Sequence, residues 1–476
     1  MVTRLAIGVC CVLIGTLWWL RSKNNVPPGP WRLPVLGNAH QIPPDDAWIL
    51  FSAWRRRYGA LIFVKLLNQP AIVLNDSKTA TDLLSRRPRT YSGRPWNYVA
   101  AQLLAGGRIM AFMDAHDRWS NLRRAAHEGL RKSSVLQYRD IQQNEALRAA
   151  ASLLAAPNQW QEHLSTATGS VIMSSVYGLP PATSTDPSLK SVREHTERLA
   201  RAVYPGAYLV ELLPWLRYLP NWAASWKHDA LQFYAEDSAL FETLFRDQRA
   251  VNHPTFGRSV LEKVDNNLIL QSDGAWLCAT MFIAGSETMY ASLCWFILSM
   301  VPHGDSQVKA QTELDRVVGL SRIPTFGDLA ELPYIQAIVK EVLRWRLPLP
   351  LGVPHRLTTN DIYNGYHIPS GTLCIPNIWE INQDESVWGP DAQSFRPERH
   401  LDSDGNIITH NLVGHDDCHA SFGFGRRVCV GMHFAIDTMS ITCATILWAC
   451  RISPALTDGN LKLPSDYLHT RTGMTL

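Results

Sequence analysis

The stretch Phe422-Gly-Phe-Gly-Arg-Arg-Val-Cys429-Val-Gly431 is a glycine-loosened loop that carries a single cysteine toward a helix. Gly423 and Gly425 allow backbone angles closed to other residues and let the chain pass close to a flat ligand. The run from Met432 to Trp448 is apolar enough to form a buried helix. Cys429 is thereby expected at a helix N-terminus, where free N–H groups and the positive end of the dipole favour a thiolate. Arg426 and Arg427 add positive charge beside it. A thiolate held this way is a soft metal ligand, and a haem iron is one metal that uses such a ligand singly.

The stretch resembles the haem-ligand loop of the cytochrome P-450 superfamily, F-x-x-G-x-R-x-C-x-G. Phe422, Gly425, Arg427, Cys429 and Gly431 fill every fixed place. The bland alternative is a structural cysteine after a glycine-rich turn, so the other segments decide. Trp119-Ser-Asn-Leu-Arg123 places an indole N–H and a guanidinium at i and i+4 on one helix face, a pair suited to an enclosed carboxylate. It is similar to the family helix whose Trp and Arg hold a haem propionate. Trp276–Met300 reads as a long apolar helix interrupted by Ala284-Gly-Ser-Glu-Thr288, where a glycine and an acid are both unfavourable unless they serve a site. Gly285 would let a ligand approach the backbone. The segment resembles the family's A/G-G-x-D/E-T proton-delivery motif, with Thr288 donating to dioxygen and Glu287 passing protons. The plainer reading is a hydroxyl patch bonding back to helix carbonyls.

Lys340-Glu341-Val-Leu-Arg344 puts acid and base at i and i+3 among apolar neighbours, which predicts a buried pair in need of further partners. Phe395-Arg-Pro-Glu-Arg399 looks like the family segment whose arginine, here Arg399, joins that pair and holds the cysteine loop against the core. His400 departs from the aromatic residue usual at the next position. Pro354-His-Arg356, followed by Ile368-Pro-Ser-Gly-Thr372, resembles the strand where a basic residue meets the other propionate, and the spacing to Pro369 favours His355. Two departures remain: Val430 stands where many membrane members have proline, and the ending after Pro464 does not resemble the terminal strand pair that lines the family's pocket.

The chain's 476 residues allow one large domain or two to three ordinary ones. A hydrophobic content of 46% and 17 tryptophans suffice for a large core, and a net charge of +3 gives no argument for nucleic acid. Nine cysteines, an odd count without C-x-x-C spacing, suggest neither a zinc ribbon nor a disulfide framework. Leu5–Leu20 is an uncharged apolar run spanning roughly 24 Å as a helix, just short of the ~27 Å endoplasmic reticulum bilayer. Trp18 and Trp19 suit an interface, and the positive residues that follow place the bulk of the chain in the cytosol. A cleaved signal peptide is the competing reading, though no small-x-small site follows. Pro27-Pro-Gly-Pro30 and Pro34 make a stiff hinge. The expected division is an anchor at 1–23, a hinge at 24–38 and one domain at 39–476.

Helical patterns are expected at Ala47–Tyr58, Lys78–Arg86, Trp119–Gly129, Ile141–Leu154 and Leu164–Tyr177, with strands at Leu61–Leu66, Ala71–Leu74 and near Thr372–Pro376. Tyr204–Trp226 is dense in aromatics and broken by prolines at 205, 214 and 220, which reads as core packing or as a lid touching a membrane. It is similar to the corresponding segment of fungal secondary-metabolite members, of the O-methylsterigmatocystin oxidoreductase type.

The resemblance implies a mainly α cytochrome P-450 fold, a helical domain with a minor β-sheet region behind an N-terminal transmembrane helix. It implies a haem-thiolate monooxygenase on the endoplasmic reticulum membrane, acting on an apolar small molecule. The cofactor would be heme b on Cys429, its propionates clamped by Trp119, Arg123, His355 and Arg427, with Thr288 and Glu287 catalytic. Electrons would come from NADPH through NADPH–cytochrome P-450 reductase, since the chain carries no dinucleotide fingerprint. Other readings are a haem-thiolate isomerase or dehydratase, against which the intact Ala284–Thr288 segment weighs, and a non-catalytic haem protein.

Overall fold

The computed structural model describes residues 25–204, 206–408, 419–454 and the backbone of 456–457 and 460–461. The expected anchor at 1–23 lies outside the described residues. The principal helices are α1 (Ala47–Tyr58), α2 (Asp117–Leu130), α3 (Arg139–Ala155), α4 (Trp160–Tyr177), α5 (Pro187–Val203), α6 (Ser225–Arg246), α7 (Phe256–Asp265), α8 (Gln271–Met300), α9 (Gly304–Val317), α10 (Pro333–Trp345) and α11 (Met432–Ala449). Each expected helix is found; that at Lys78–Arg86 is a short α-turn, Ser77–Ala80, running into a wide π-turn, Thr81–Ser85.

The strands are β1 (Leu61–Leu66), β2 (Gln69–Leu74), β3 (His355–Arg356), β4 (Asp361–Tyr363), β5 (Tyr366–Ile368) and β6 (Leu373–Pro376). The main sheet runs β1-β2-β6-β3, with β2 and β6 parallel and the other pairs antiparallel. Its register sets His355 opposite Cys374. A further antiparallel pair, β7 (Leu456–Thr457) with β8 (Asn460–Leu461), forms near the C-terminus. The ending after Pro464, which was not expected to resemble the family's terminal strand pair, lies outside the described residues.

The core is a bundle in which α11 packs on α3, α3 on α4, and α4 on α8. Gly285 makes the α4–α8 crossing close: a Cβ there would stand 2.5 Å from Ile172 Cδ1. α8 is the one described helix long and apolar enough to cross a membrane. Here it is the central helix, packed on α4, α6, α7, α10 and α11.

Glu341 and Arg344 on α10 are both fully buried. The guanidinium donates to both carboxylate oxygens at 2.7 Å. Arg399 Nε donates to Glu341 Oε1 at 3.1 Å, and the Arg396 N–H to the same oxygen at 2.8 Å. His400 supplies what the sequence left open, its Nε2 lying 3.0 Å from Glu341 Oε2. Burial holds this imidazole below its usual range despite the carboxylate, so it serves as a neutral N–H donor while the arginines carry the charge. Arg344 also donates to the Asn382 carbonyl, and the Asn382 side chain receives the Ala420 N–H and donates to Ser421 Oγ. Ser421 in turn donates to the Leu343 carbonyl. The ion cluster thus ties α10 to the start of the cysteine loop.

Burial opposes ionisation of Glu341, but its partners outweigh it and hold the carboxyl down at about 2. A depressed carboxyl contributes stability above its unfolded pKa and loses it as pH falls through the folded one. The contribution should therefore be present at neutral pH and vanish between about 4.5 and about 2. Glu341→Gln strands two arginines in the interior and should cost about 3–5 kcal/mol at pH 7. Urea unfolding at pH 7 measures it, and an unchanged midpoint would show that the pair is dispensable.

Candidate active site

A cavity of about 310 Å³ lies between α8 and the cysteine loop. Ala284, Gly285 and Thr288 line one side, and Phe422, Gly423, Phe424, Val428, Cys429 and Gly431 the other. Gly423 (φ +80°) and Gly425 (φ +55°) adopt left-handed angles, as the loop requires. The close approach at Gly425 is to protein rather than to a ligand: a Cβ would stand 2.2 Å from the Leu84 carbonyl oxygen. The Cys429 N–H donates to the Phe422 carbonyl at 2.8 Å and closes the loop.

Cys429 precedes Gly431, which caps α11, so it stands just ahead of the helix rather than within its first turn. It lies deep in the molecule, and its accessible surface faces the cavity. Burial pushes the thiol up, while the Gly431 N–H and the charge of Arg123 pull it down without prevailing. Helix end and arginines alone therefore do not make the thiolate expected from sequence; a bound cation would. The neighbouring charge is Arg123, not the Arg426–Arg427 pair: Arg426 is exposed and sits over the Trp119 ring at 5.3 Å.

Trp119, Arg123, His355 and Arg427 all line the cavity. Arg123 Nη2 donates to the Val428 carbonyl at 2.5 Å and so also holds the loop one residue before the cysteine. Arg427 also lies over the Trp119 ring, at 4.3 Å, and donates to the carbonyls of Ser92 and Met113. Burial, helped by Arg94, pushes its guanidinium down to about 9. His355 is buried with Nδ1 2.8 Å from the Tyr91 carbonyl, so Nδ1 carries a proton and Nε2 is the free position. Burial, then Arg94, lowers it to about 3, hence neutral; a nearby carboxylate would favour the doubly protonated ring, with Nε2 as a second donor. Arg356 points elsewhere, to the Arg94 carbonyl and Asp114.

Arg94 was not singled out from sequence. It lines the cavity, donates to the carbonyls of Ala111, Val353 and Pro354, and is lowered to about 10 by burial. Nothing in Ser92-Gly-Arg-Pro95 marks it, because its partners are backbone oxygens far along the chain.

The proton residues divide. Thr288 lines the cavity, and its Oγ1 donates to the Ala284 carbonyl at 2.7 Å. Glu287 is not among the cavity-lining residues; it faces α5, where Arg193 and Glu197 bear on it, and burial raises its carboxyl. Gly285 opens onto the cavity but also makes room for Ile172.

Three arginines, a histidine and a thiol converge on this cavity, yet none of its described lining residues is Asp or Glu. Buried cations without anions are costly. The lining thus fits a ligand that brings its own carboxylates at one edge and a thiophilic cation at its centre, with apolar faces toward Met110, Met281, Val353 and Phe434. Heme b has that composition.

The cytochrome P450 family pattern matches residues 27–472. A cytochrome P450 monooxygenase of Armillaria gallica is 41% identical over 465 residues, covering 96% of this chain and 89% of the relative. Cytochrome P450 monooxygenase 58 of Postia placenta is 39% identical over 469 residues, covering 97% and 88%. Cytochrome P450 monooxygenase iboC of Amanita muscaria is 34% identical over 508 aligned positions, covering 96% and 90%.

Replacing Cys429 with alanine should abolish the thiolate-type carbon monoxide difference band of the purified protein. Cys443→Ala, which alters a buried thiol on α11 that does not line the cavity, should leave the band intact. Difference spectra of the two variants decide it, and survival of the band in Cys429→Ala would remove the cysteine from its role.

Proposed function

The chain belongs to the cytochrome P450 family of monooxygenases, and on that premise we propose that it inserts one atom of dioxygen into a neutral, apolar small molecule. The observation that carries this reading is the Cys429 thiol facing a cavity rimmed by buried cations and free of lining carboxylates. A heme b held through Cys429 supplies the oxidising chemistry. The residues of the chain do the rest. Arg94, Trp119, Arg123, His355 and Arg427, which line the cavity, would hold the cofactor's two propionates. Met110, Ala111, Met281, Leu349 and Val353 form an apolar wall that orients the substrate and excludes water. A cationic amine would find no counter-charge among the described lining residues, which favours an uncharged terpenoid or polyketide intermediate of fungal secondary metabolism over a protonated alkaloid.

Glu287, its carboxyl raised by burial, is proposed to take protons from the α5 side, and Thr288 to hold one at the cavity face of α8. Electrons are proposed to come from NADPH through a cytochrome P-450 reductase. The protein is proposed to sit on the endoplasmic reticulum membrane with its catalytic domain in the cytosol. The exposed Trp215, Tyr218 and Trp222 of the 204–226 segment would form a second membrane contact beside the N-terminal anchor. Deleting residues 2–23 should accordingly leave part of the protein on membranes. Its full appearance in the supernatant without detergent would remove that contact.

The bond from Thr288 Oγ1 to the Ala284 carbonyl favours a second reading, a haem-thiolate isomerase or dehydratase, because there the hydroxyl needs no role toward dioxygen. Thr288→Ala separates the two. Alanine is at least as favourable in a helix, so the fold and the carbon monoxide band should persist. In a monooxygenase the ratio of product to NADPH consumed should fall roughly 100-fold or more, with hydrogen peroxide in place of product. An unchanged ratio would favour the second reading.

A further inference from the structure

The apolar wall of the cavity holds one kind of oxidisable group, the thioether. Four described methionines line the cavity: Met110, Met281, Met289 and Met439. Met110, Met289 and Met439 are buried, at 7%, 3% and 1% exposure, whereas Met281 keeps accessible surface. Met281 begins the stripe Met281, Ala284, Gly285 and Thr288, by which α8 lines the cavity. Positions i, i+3, i+4 and i+7 share one helix face. Met281 therefore looks onto the same space as the Thr288 hydroxyl. Along the axis it stands about 4.5 Å from Ala284 and about 10.5 Å from Thr288.

A methionine side chain is unbranched and turns about three bonds, so its sulfur sweeps a wide arc. Around it, Ala111, Leu349 and Val353 offer only C–H bonds, which are harder to oxygenate than a thioether. The group in the wall that gives up electrons most readily is thus also the methionine most open to the cavity.

We propose that Met281 is a site of oxidative self-modification: when no substrate fills the cavity, its sulfur takes the oxygen atom that the substrate would have received. This rests on the monooxygenase reading above. Dioxygen, NADPH, a proton and the thioether give the sulfoxide, NADP+ and water. The O–O bond breaks and an S–O bond forms. Two electrons come from the sulfur and two from NADPH through the reductase, and the second oxygen atom leaves as water. The sulfoxide is polar and chiral where the thioether was apolar. In this wall its dipole faces the space of an apolar ligand, so the modification weakens binding of such ligands until a sulfoxide reductase reverses it. Idle turnover thereby lowers the enzyme's own affinity.

The test is peptide mass spectrometry of the full-length, haem-loaded protein after incubation with oxygen-18 gas, NADPH, a cytochrome P-450 reductase and catalase, without substrate. Met281 should carry the heavy oxygen roughly tenfold or more above Met300 and Met432, since susceptibility follows access to the oxidant. Met300 is fully buried farther along α8 and reports handling. Met432 is partly exposed but does not line the cavity, so it reports peroxide that escapes the catalase. Clotrimazole, a bulky apolar azole, should suppress the label when present from the start. Spectral titration with clotrimazole after the incubation should give a dissociation constant roughly tenfold higher than before it. Met281→Leu, compared with itself before incubation, should hold its value. Label at Met281 no greater than at Met300 or Met432, or an equal loss of affinity in Met281→Leu, would each overturn the proposal. The mass measurement needs no variant and stays decisive if Met281→Leu does not fold. A parent protein that lacks both the carbon monoxide band and NADPH consumption refutes the monooxygenase reading, and the proposal with it. One that has both and leaves Met281 unlabelled refutes the self-modification alone.

Discussion

A carboxylate with no access to water, Glu341, sets the terms for the rest of the structure. An ionised group in that position is tolerable only if every lone pair is met. Arg344, Arg399, His400 and the Arg396 amide meet them from two chain segments more than fifty residues apart. Because Arg344 then spends its remaining donors on the carbonyls of Asn382, Ala392 and Ser394, the requirement spreads. It fixes the loop from Asn382 onward, and through Asn382 and Ser421 it fixes where Cys429 begins its approach. The cluster never touches the cavity; it decides where the cavity's one thiol is held.

The cavity inverts that logic. Arg94, Arg123 and Arg427 are buried cations whose partners are mainly carbonyl oxygens, and burial weakens each as an acid-bound charge. The Cys429 thiol is likewise pushed toward its neutral form. One site is charge-complete with protein alone and the other is not. That contrast is the physical argument for an anionic, metal-bearing cofactor, and it is independent of the sequence pattern that first suggested one.

Local periodicity made much of the fold legible. Helix Ala47–Tyr58 and strand Leu61–Leu66 are readable to the residue, since each is bounded by a glycine or a turn. The motif residues Trp119, Arg123, Thr288, His355, Arg427 and Cys429 all reach one cavity, because their spacing is tied to helix and loop geometry. What escaped depends on partners distant in sequence. Arg94 bonds to carbonyls at 353 and 354, and His400 reaches back to Glu341, neither of which a local pattern encodes. The glycines were legible as glycines but not in purpose. Gly285 and Gly425 are required as much by Ile172 and the Leu84 backbone as by any ligand.

Helix geometry also explains why Glu287 and Thr288 part company. Neighbours on a helix lie about 100° apart, so when Thr288 faces the cavity, Glu287 turns toward α5. On the proposed route, a proton held on Glu287 would have to pass around α8 to reach the Thr288 face. The hydroxyl is at present closed back on the Ala284 carbonyl, one turn earlier. Rotating that hydroxyl into the cavity forfeits one bond within the helix and opens the inner end of the path, while Arg193 and Glu197 bias the outer end. On the proposed proton route the two residues would be the ends of one path across a helix, and the Gly285 contact that brings α4 against α8 keeps that helix in place between them.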